Sequence, residues 1–384
     1  MNRHEIKKRL RENLEKQKEF FKSKKSGDLL VYIDYVNQGN IARKTSLARA
    51  LYRGVLEYKG EYRFPSEKDI RGIVRQYVEE YRESISQEDD PFIDDAIPCI
   101  YAHYDIGIQT AAVTGLNPSF SGEHWWLEPN LDWDEIERLD FDPDNEWIQL
   151  ALLTYRELWR CWDEDFFTMP YIHRSPLDLA NGIRGTQLFL EMYTAPEKVK
   201  KLADWCVDWQ LAVENYMYDN VKIYEGWGTG VLRTWGPDRA VWVNGDPVGL
   251  ISRAMMREFE QPYTGRLFSS TGGGFFHNHT RGLYQIDQVA KTKGIFAQQF
   301  SKDPNCHTIE ETLLNDPKQR VNILQASLTT PVLIWASSTR KSVKPEDLDR
   351  LLPILREGRF IICVACEDGV HNPYEVINKF ETVP

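Results

Sequence analysis

A chain of 384 residues, 42% of them hydrophobic, can bury a sizeable core and exceeds the common single-domain length, which suits an α/β barrel carrying an extension. Its formal net charge of −11 disfavours nucleic acid as a partner and makes a polyanionic substrate hard to attract without a local basic cluster. The 6 cysteines are too scattered for a secreted disulfide framework, and no apolar run is long enough for a signal peptide or a membrane span, so reduced thiols and a cytoplasmic location are expected.

Residues 2 to 24 read as a charged helix with Leu10, Leu14, Phe20 and Phe21 along one stripe, packed on the main body. The stretch LLVYIDYV, 29 to 36, reads as a short strand, and a second helix starts at a Ser66 cap. These elements make up an N-terminal, mainly helical extension, 1–90, followed by the acidic linker SQEDDPFIDD. The barrel is assigned to 91–384. Its first buried strand, IPCIYAHYDIG at 97 to 107, carries His103 and Asp105 near its end. Segment 116 to 147 is too polar and too punctuated by proline for one regular element, and reads as an excursion over the barrel mouth, with Glu123, His124, Trp125 and Trp126 as lining residues.

From 146 onward helices and short strands alternate, the pattern of repeated βα units. Strands are expected at 166 to 172, 221 to 225, 240 to 245, through His277 and His279, and at 294 to 300, 331 to 336 and 359 to 365. Together with 97 to 107 they make the eight strands of a (β/α)₈ barrel. In such a fold chemistry gathers where the strands end, so His103, Asp105, His173, Glu225, Asp246, His277, His279, Asp303, Ser337, Ser338 and Cys366 share one rim.

Within that rim the stretch TGGGFFHNHTRG, 271 to 282, is the sharpest signal. A period of two sends His277 and His279 to the same face of a strand, and two imidazoles with the Cys366 thiolate meet the three-ligand requirement of a catalytic zinc. The same spacing also describes a plain hydrogen-bonded pair. Cys363 and Cys366 would point to opposite faces of their strand, so Cys366 alone is assigned to the metal and Cys363 is read as a buried thiol. Asp246 in WVNGDPVG is either a loop cap or a general acid or base, and His103 with Asp105 is either an acid and base pair or a satisfied polar pair. The glycines at 272 to 274 match no phosphate-binding motif and mark a tight approach of backbone.

The stretches LISRAMMREFEQPYTGRL, FFHNHTRG and LYQIDQVAKTKGIFAQQFSKDP, with PLDLANGIRGTQLFLEMYTAPEKVKKL upstream and ACEDGVHNPYEVI downstream, resemble the uroporphyrinogen decarboxylase superfamily over roughly residues 97 to 380. The resemblance implies a distorted (β/α)₈ TIM barrel with an N-terminal helical extension. One branch removes carboxyl groups from a tetrapyrrole without metal, through an arginine-rich loop; the matching region here, SQEDDPFIDDAIPCIYAHYDIG, holds no arginine or lysine. The other branch comprises corrinoid-dependent methyltransferases with His-x-Cys on a middle strand, Cys on the last and Pro some seven residues later. Here His277, Cys366 and Pro373 stand in those places and His279 replaces the first cysteine. This branch implies zinc held by His277, His279 and Cys366, a corrinoid carried by a partner protein, and a methyltransferase acting on a small molecule, with a homodimer among the assemblies it admits. Asp246, His103 and Asp105 are then the candidate catalytic groups, and Glu123, Trp125, Trp126 and His173 the candidate substrate contacts. Uroporphyrinogen decarboxylase itself and a non-catalytic small-molecule binder are the alternatives.

Overall fold

The structure, a computed structural model, describes residues 3–35, 47, 51, 64–87, 94–100, 106–121, 124–168, 172–221, 227–229, 233–237, 239–334, 343, 345–366 and 372–382. The strands are β1 (Leu29–Tyr35), β2 (Cys99–Ile100), β3 (Ser119–Ser121), β4 (His124–Trp126), β5 (Phe167–Thr168), β6 (Ile172–Arg174), β7 (Trp227–Thr229), β8 (Thr234–Gly236), β9 (Val241–Asn244), β10 (Gly274–His279), β11 (Ile295–Ser301), β12 (Val332–Ile334) and β13 (Phe360–Cys366). Seven of them form one sheet in the order β1-β13-β12-β11-β10-β9-β6, every pair parallel. Runs such as FIICVAC and LLVYIDY are rich in β-branched and aromatic side chains and apolar on both faces, as a parallel sheet covered on both sides requires.

Alternation divides these side chains between two cores. Leu30, Tyr32, Trp242, Phe275, Ala297, Leu333, Ile361 and Cys363 pack together on one face, here called the Trp242 face. Val31, Ile33, Phe300, Ile334, Ile362, Val364 and Cys366 pack on the other against helix residues such as Leu313, Leu351 and Leu355. The helix Arg3–Lys22 delivers Phe20 and Phe21 to the Trp242 face. The Phe21 ring stands edge-on to Phe275 at 6.1 Å and to Phe296 at 5.4 Å. Trp242 lies parallel to Phe275 at 5.5 Å, so an aromatic floor underlies the strand ends. Buried Arg359 donates to the Phe20 carbonyl at 2.8 Å and lies 5.4 Å over the Phe20 ring, which fastens the helix end to β13.

Several expectations change. The strand at 29 to 36, placed by sequence in the 1–90 extension, is β1, paired residue for residue with β13 from Leu29 to Tyr35. Its other edge is met by the segment before β2: Asp95 N–H donates to the Val31 carbonyl at 2.9 Å. The Asp95 and Asp94 carboxylates accept from Val31 N–H at 2.8 Å and Ile33 N–H at 2.7 Å. Of 97 to 107, only Cys99–Ile100 is a described strand, paired with β5, and the helix Ile106–Thr114 follows. The expected strand at 221 to 225 is replaced at its start by Val221, the cap of the helix Pro196–Asn220, and 222 to 226 lie outside the described residues. The expected excursion over 116 to 147 contains the antiparallel β3-β4 hairpin and a short helix, Trp133–Ile136, with a complete capping box on Asp132 and Glu135. Among the described residues no helix is long and apolar enough to cross a membrane.

The glycine run behaves as a close approach. Gly273 has φ +104°, and a Cβ on Gly274 would stand 1.9 Å from the Phe268 ring. Only glycine lets β10 start against that ring, and the start sets the phase in which His277 and His279 emerge.

Candidate metal centre

The carboxyl ends of β9, β10 and β11 bring the polar groups together, as parallel α/β sheets commonly do. Register places His277 beside Asn244 on β9 and Gln299 on β11. His277 and His279 leave β10 on the same side, their ring centroids 5.2 Å apart. Asp246 opens the 3₁₀ helix Asp246–Leu250 just beyond β9, and Gly245 N–H holds that turn to the His277 carbonyl at 2.8 Å. One possible ligand atom from each of Asp246, His277 and His279 lies within 4.8 Å of the others. His279 Nε2 is 3.5 Å from Asp246 Oδ1, too long for a hydrogen bond. Although 41% of the Asp246 side chain is exposed, its Oδ1 is buried and has no hydrogen-bond partner among the described residues. A buried, unsatisfied carboxylate oxygen beside two imidazoles is what a cation would complete.

Each imidazole has an oxygen at its other nitrogen. His277 Nδ1 contacts Gln299 Oε1, and Gln299 Nε2 donates to Ser301 Oγ at 3.1 Å, which turns the amide oxygen toward the histidine. His279 Nδ1 lies 3.2 Å from Asp303 Oδ1, a close charge contact without the alignment of a hydrogen bond. An acceptor at His277 Nδ1 and a carboxylate charge beside His279 Nδ1 favour protonation there and leave the Nε2 lone pairs for a ligand, the arrangement of many metal-binding histidines. Trp242 stacks on the His277 ring at 6.0 Å and donates from Nε1 to Asn244 Oδ1 at 2.9 Å.

Protonation follows from these surroundings. Burial holds His277 below the usual histidine range, with Asp246 only partly offsetting it, so the ring is biased to the neutral, ligating form. Burial also pulls on His279, but Asp246 and Asp303 outweigh it and raise its pKa. Burial pushes Asp246 up, and the His279 contact with the charges of His277, His279 and Arg174 brings it below the usual carboxylate range. The two carboxylates thus favour positive charge at this centre. Behind it, burial raises buried Asp178 to about 6 against the pull of Arg174. Arg174 grips Asp178 with two contacts of 3.0 Å, donates to Thr110 Oγ1 at 3.1 Å, and lies so close to Gly182 that a Cβ there would stand 2.5 Å from Nη1.

Not every expected residue joins this centre. Register runs from His277 through Gln299 and Leu333 to Ile361, so Ile361 and Cys363 face the histidine side and Cys366 the other. Cys366 is buried among Ile362, Val364 and Val376 and is absent from the metal-capable group, where Asp246 stands instead. The two cysteines divide between the faces as the sequence implied, and the metal-capable group holds neither of them. His173 is fully buried, 2.6 Å from Glu214 Oε1 on the helix Pro196–Asn220 and 3.0 Å from Gln109 Nε2, so it fastens helices to β6. Trp126 is 54% exposed on the β3-β4 hairpin. Trp125 pairs through its backbone in that hairpin, while His103, Asp105, Glu123, Glu225, Ser337 and Ser338 lie outside the described residues. Sequence reasoning overlooked Gln299, Arg174 and Asp178. A glutamine two residues before Ser301 in the apolar strand IFAQQFS is the signal that could have pointed to Gln299. No family model and no curated protein matches the sequence.

Proposed function

We propose that the chain is a barrel enzyme that binds one divalent ion, zinc being the expected one, through Asp246, His277 and His279, and transfers a methyl group between a small molecule and a corrinoid carried by a partner protein. The barrel reading is supported by neighbours on both edges of the sheet: β13 and the segment before β2 flank β1, β2 pairs with β5, and β6 follows β5 in sequence and pairs with β9. Eight strand positions taken in chain order, with β5 and β6 counted together as one, would then close as a (β/α)₈ barrel with the centre at the carboxyl mouth.

The observation that carries the metal reading is the unsatisfied Asp246 Oδ1 facing two histidines whose Nδ1 atoms each meet an oxygen. An ion bound there would supply Lewis acidity and hold a substrate heteroatom. Two neutral imidazoles and one carboxylate leave more net positive charge on the ion than two thiolates would. That favours an ether oxygen or an amine of a methyl donor over a thiol. Asp246 and the two histidines bind, Gln299 and Asp303 orient, and the Trp242 and Phe275 rings exclude water from below. Metal-free decarboxylation of a polycarboxylate fits less well, because the nearby guanidinium of Arg174 is already engaged by Asp178.

The test is metal analysis of the purified protein, followed by anaerobic incubation with cob(I)alamin and methoxylated or methylamine donors, watching for the methylcobalamin spectrum. One ion per chain, lost in His277→Ala together with methyl transfer, is expected. Protein free of metal that still turns over, or that cannot retain added zinc, would overturn the reading.

A further inference from the structure

We infer that Asp303 is a positioning residue that acts through His279, holding the ring so that Nε2 offers its lone pair beside Asp246. The inference rests on the metal-binding reading above. Its ground is the way one aspartate engages three consecutive residues at the end of β10. Asp303 N–H donates to Thr280 Oγ1 at 2.9 Å, and Arg281 N–H donates to Asp303 Oδ2 at 2.8 Å. With Oδ2 occupied and the backbone pinned, Oδ1 is the carboxylate atom turned to His279 Nδ1, 3.2 Å away. The aspartate side chain is only 15% exposed, so water competes little for that oxygen.

The neighbouring histidine is served differently. Gln299 gives His277 a neutral acceptor, itself fixed by Ser301, whereas Asp303 sets a carboxylate charge 3.2 Å from His279 Nδ1. A carboxylate charge at Nδ1 makes the imidazole a stronger electron donor at Nε2, so the two histidines are unequal ligands. His279 is the stronger of them, and it is the one next to the anionic ligand Asp246.

A plain loop clasp would also use the contacts to Thr280 and Arg281, and one substitution separates the two roles. In Asp303→Asn the amide oxygen can still accept from Arg281 N–H, which keeps the clasp, and the amide NH₂ then faces His279 Nδ1. A donor at Nδ1 forces the neutral ring to carry its proton on Nε2, the atom the ion needs.

The experiment uses the full chain, unaltered and as Asp303→Asn. Long-range ¹H–¹⁵N spectra at alkaline pH read the His279 tautomer in metal-free protein, and zinc affinity is measured by competition with a chromophoric chelator. The unaltered protein should carry the proton on Nδ1. Asp303→Asn should carry it on Nε2 and bind zinc about 10-fold to 100-fold more weakly, with an unchanged melting temperature. Zinc bound by the unaltered protein and by Asp303→Asn with the same affinity would overturn this inference and leave the metal reading standing. An unaltered protein that binds no zinc would overturn both.

Discussion

The sharpest perturbation is a pair of single substitutions, Asp246→Ala and Cys366→Ser, because sequence and structure assign the third ligand differently. Zinc held by four protein donors is worth about 10–16 kcal/mol at neutral pH, or roughly 2.5–4 kcal/mol per donor. Asp246 supplies the single anionic donor of the metal-capable group, so its loss should weaken zinc binding by at least that share, a factor of about 10²–10³. Cys366 lies on the opposite face of the sheet, in the core of Ile362, Val364 and Val376. Replacing its sulfur by a hydroxyl costs about 1–3 kcal/mol of stability through desolvation and leaves the ligands in place. Chelator competition on both variants, with urea unfolding of the same preparations, reads the two effects separately. Should Cys366→Ser lose zinc while Asp246→Ala retains it, the register that separates Cys366 from the histidines is wrong, and the expectation drawn from sequence is right.

Two further outcomes follow from the buried polar groups. In metal-free protein the raised pKa of His279 contributes stability that is fully present below the unfolded histidine value of about 6.5 and is lost as pH rises through the folded value. Melting temperatures in EDTA should therefore show the unaltered protein ahead of His279→Gln most clearly below pH ~6.5, with the gap closing at alkaline pH. In the presence of zinc the trend should reverse, since protons compete for the same ring; a gap that ignores pH in both conditions counts against the Asp246 and Asp303 environment. His173→Ala leaves buried Glu214 without that hydrogen-bond partner, a loss of about 1–3 kcal/mol, while zinc affinity stays unchanged. A stable His173→Ala protein with altered zinc or substrate affinity would restore His173 to the site.

Much of this arrangement is legible in the sequence. Apolar runs bounded by turn residues located β9 through β13, because strands buried on both faces must be apolar along their whole length. Period-two spacing put His277 and His279 on one side for the same geometric reason. LLVYIDYV was recognised as a strand yet not as part of the main sheet, since its partner β13 stands more than three hundred residues away, and local pattern carries no information about pairing partners. That Cys366 faces away from the histidines needed the register across β11, β12 and β13, which no spacing within one strand contains. The surroundings of His173 were hidden for a related reason. A polar residue at a strand end was taken to face the mouth, but its face of β6 meets the helix bearing Glu214.

The position of Asp246 shows why the centre depends on several strands at once. The aspartate is in reach of both histidines because Gly245 N–H bonds the His277 carbonyl, so the turn after β9 is cut to fit the end of β10. On the other flank Asp303, after β11, closes on Thr280 and Arg281, and within the sheet Gln299 closes on His277. Three adjacent strands therefore each contribute to the ligands or fix their orientation, above a floor that Trp242, Phe275 and Phe21 fill. A shift of β10 by one residue would exchange its faces and send both imidazoles into the helix layer. The close fit of Gly274 against Phe268 opposes such a slip, which makes a glycine some distance from the chemistry a condition for the two histidines to meet.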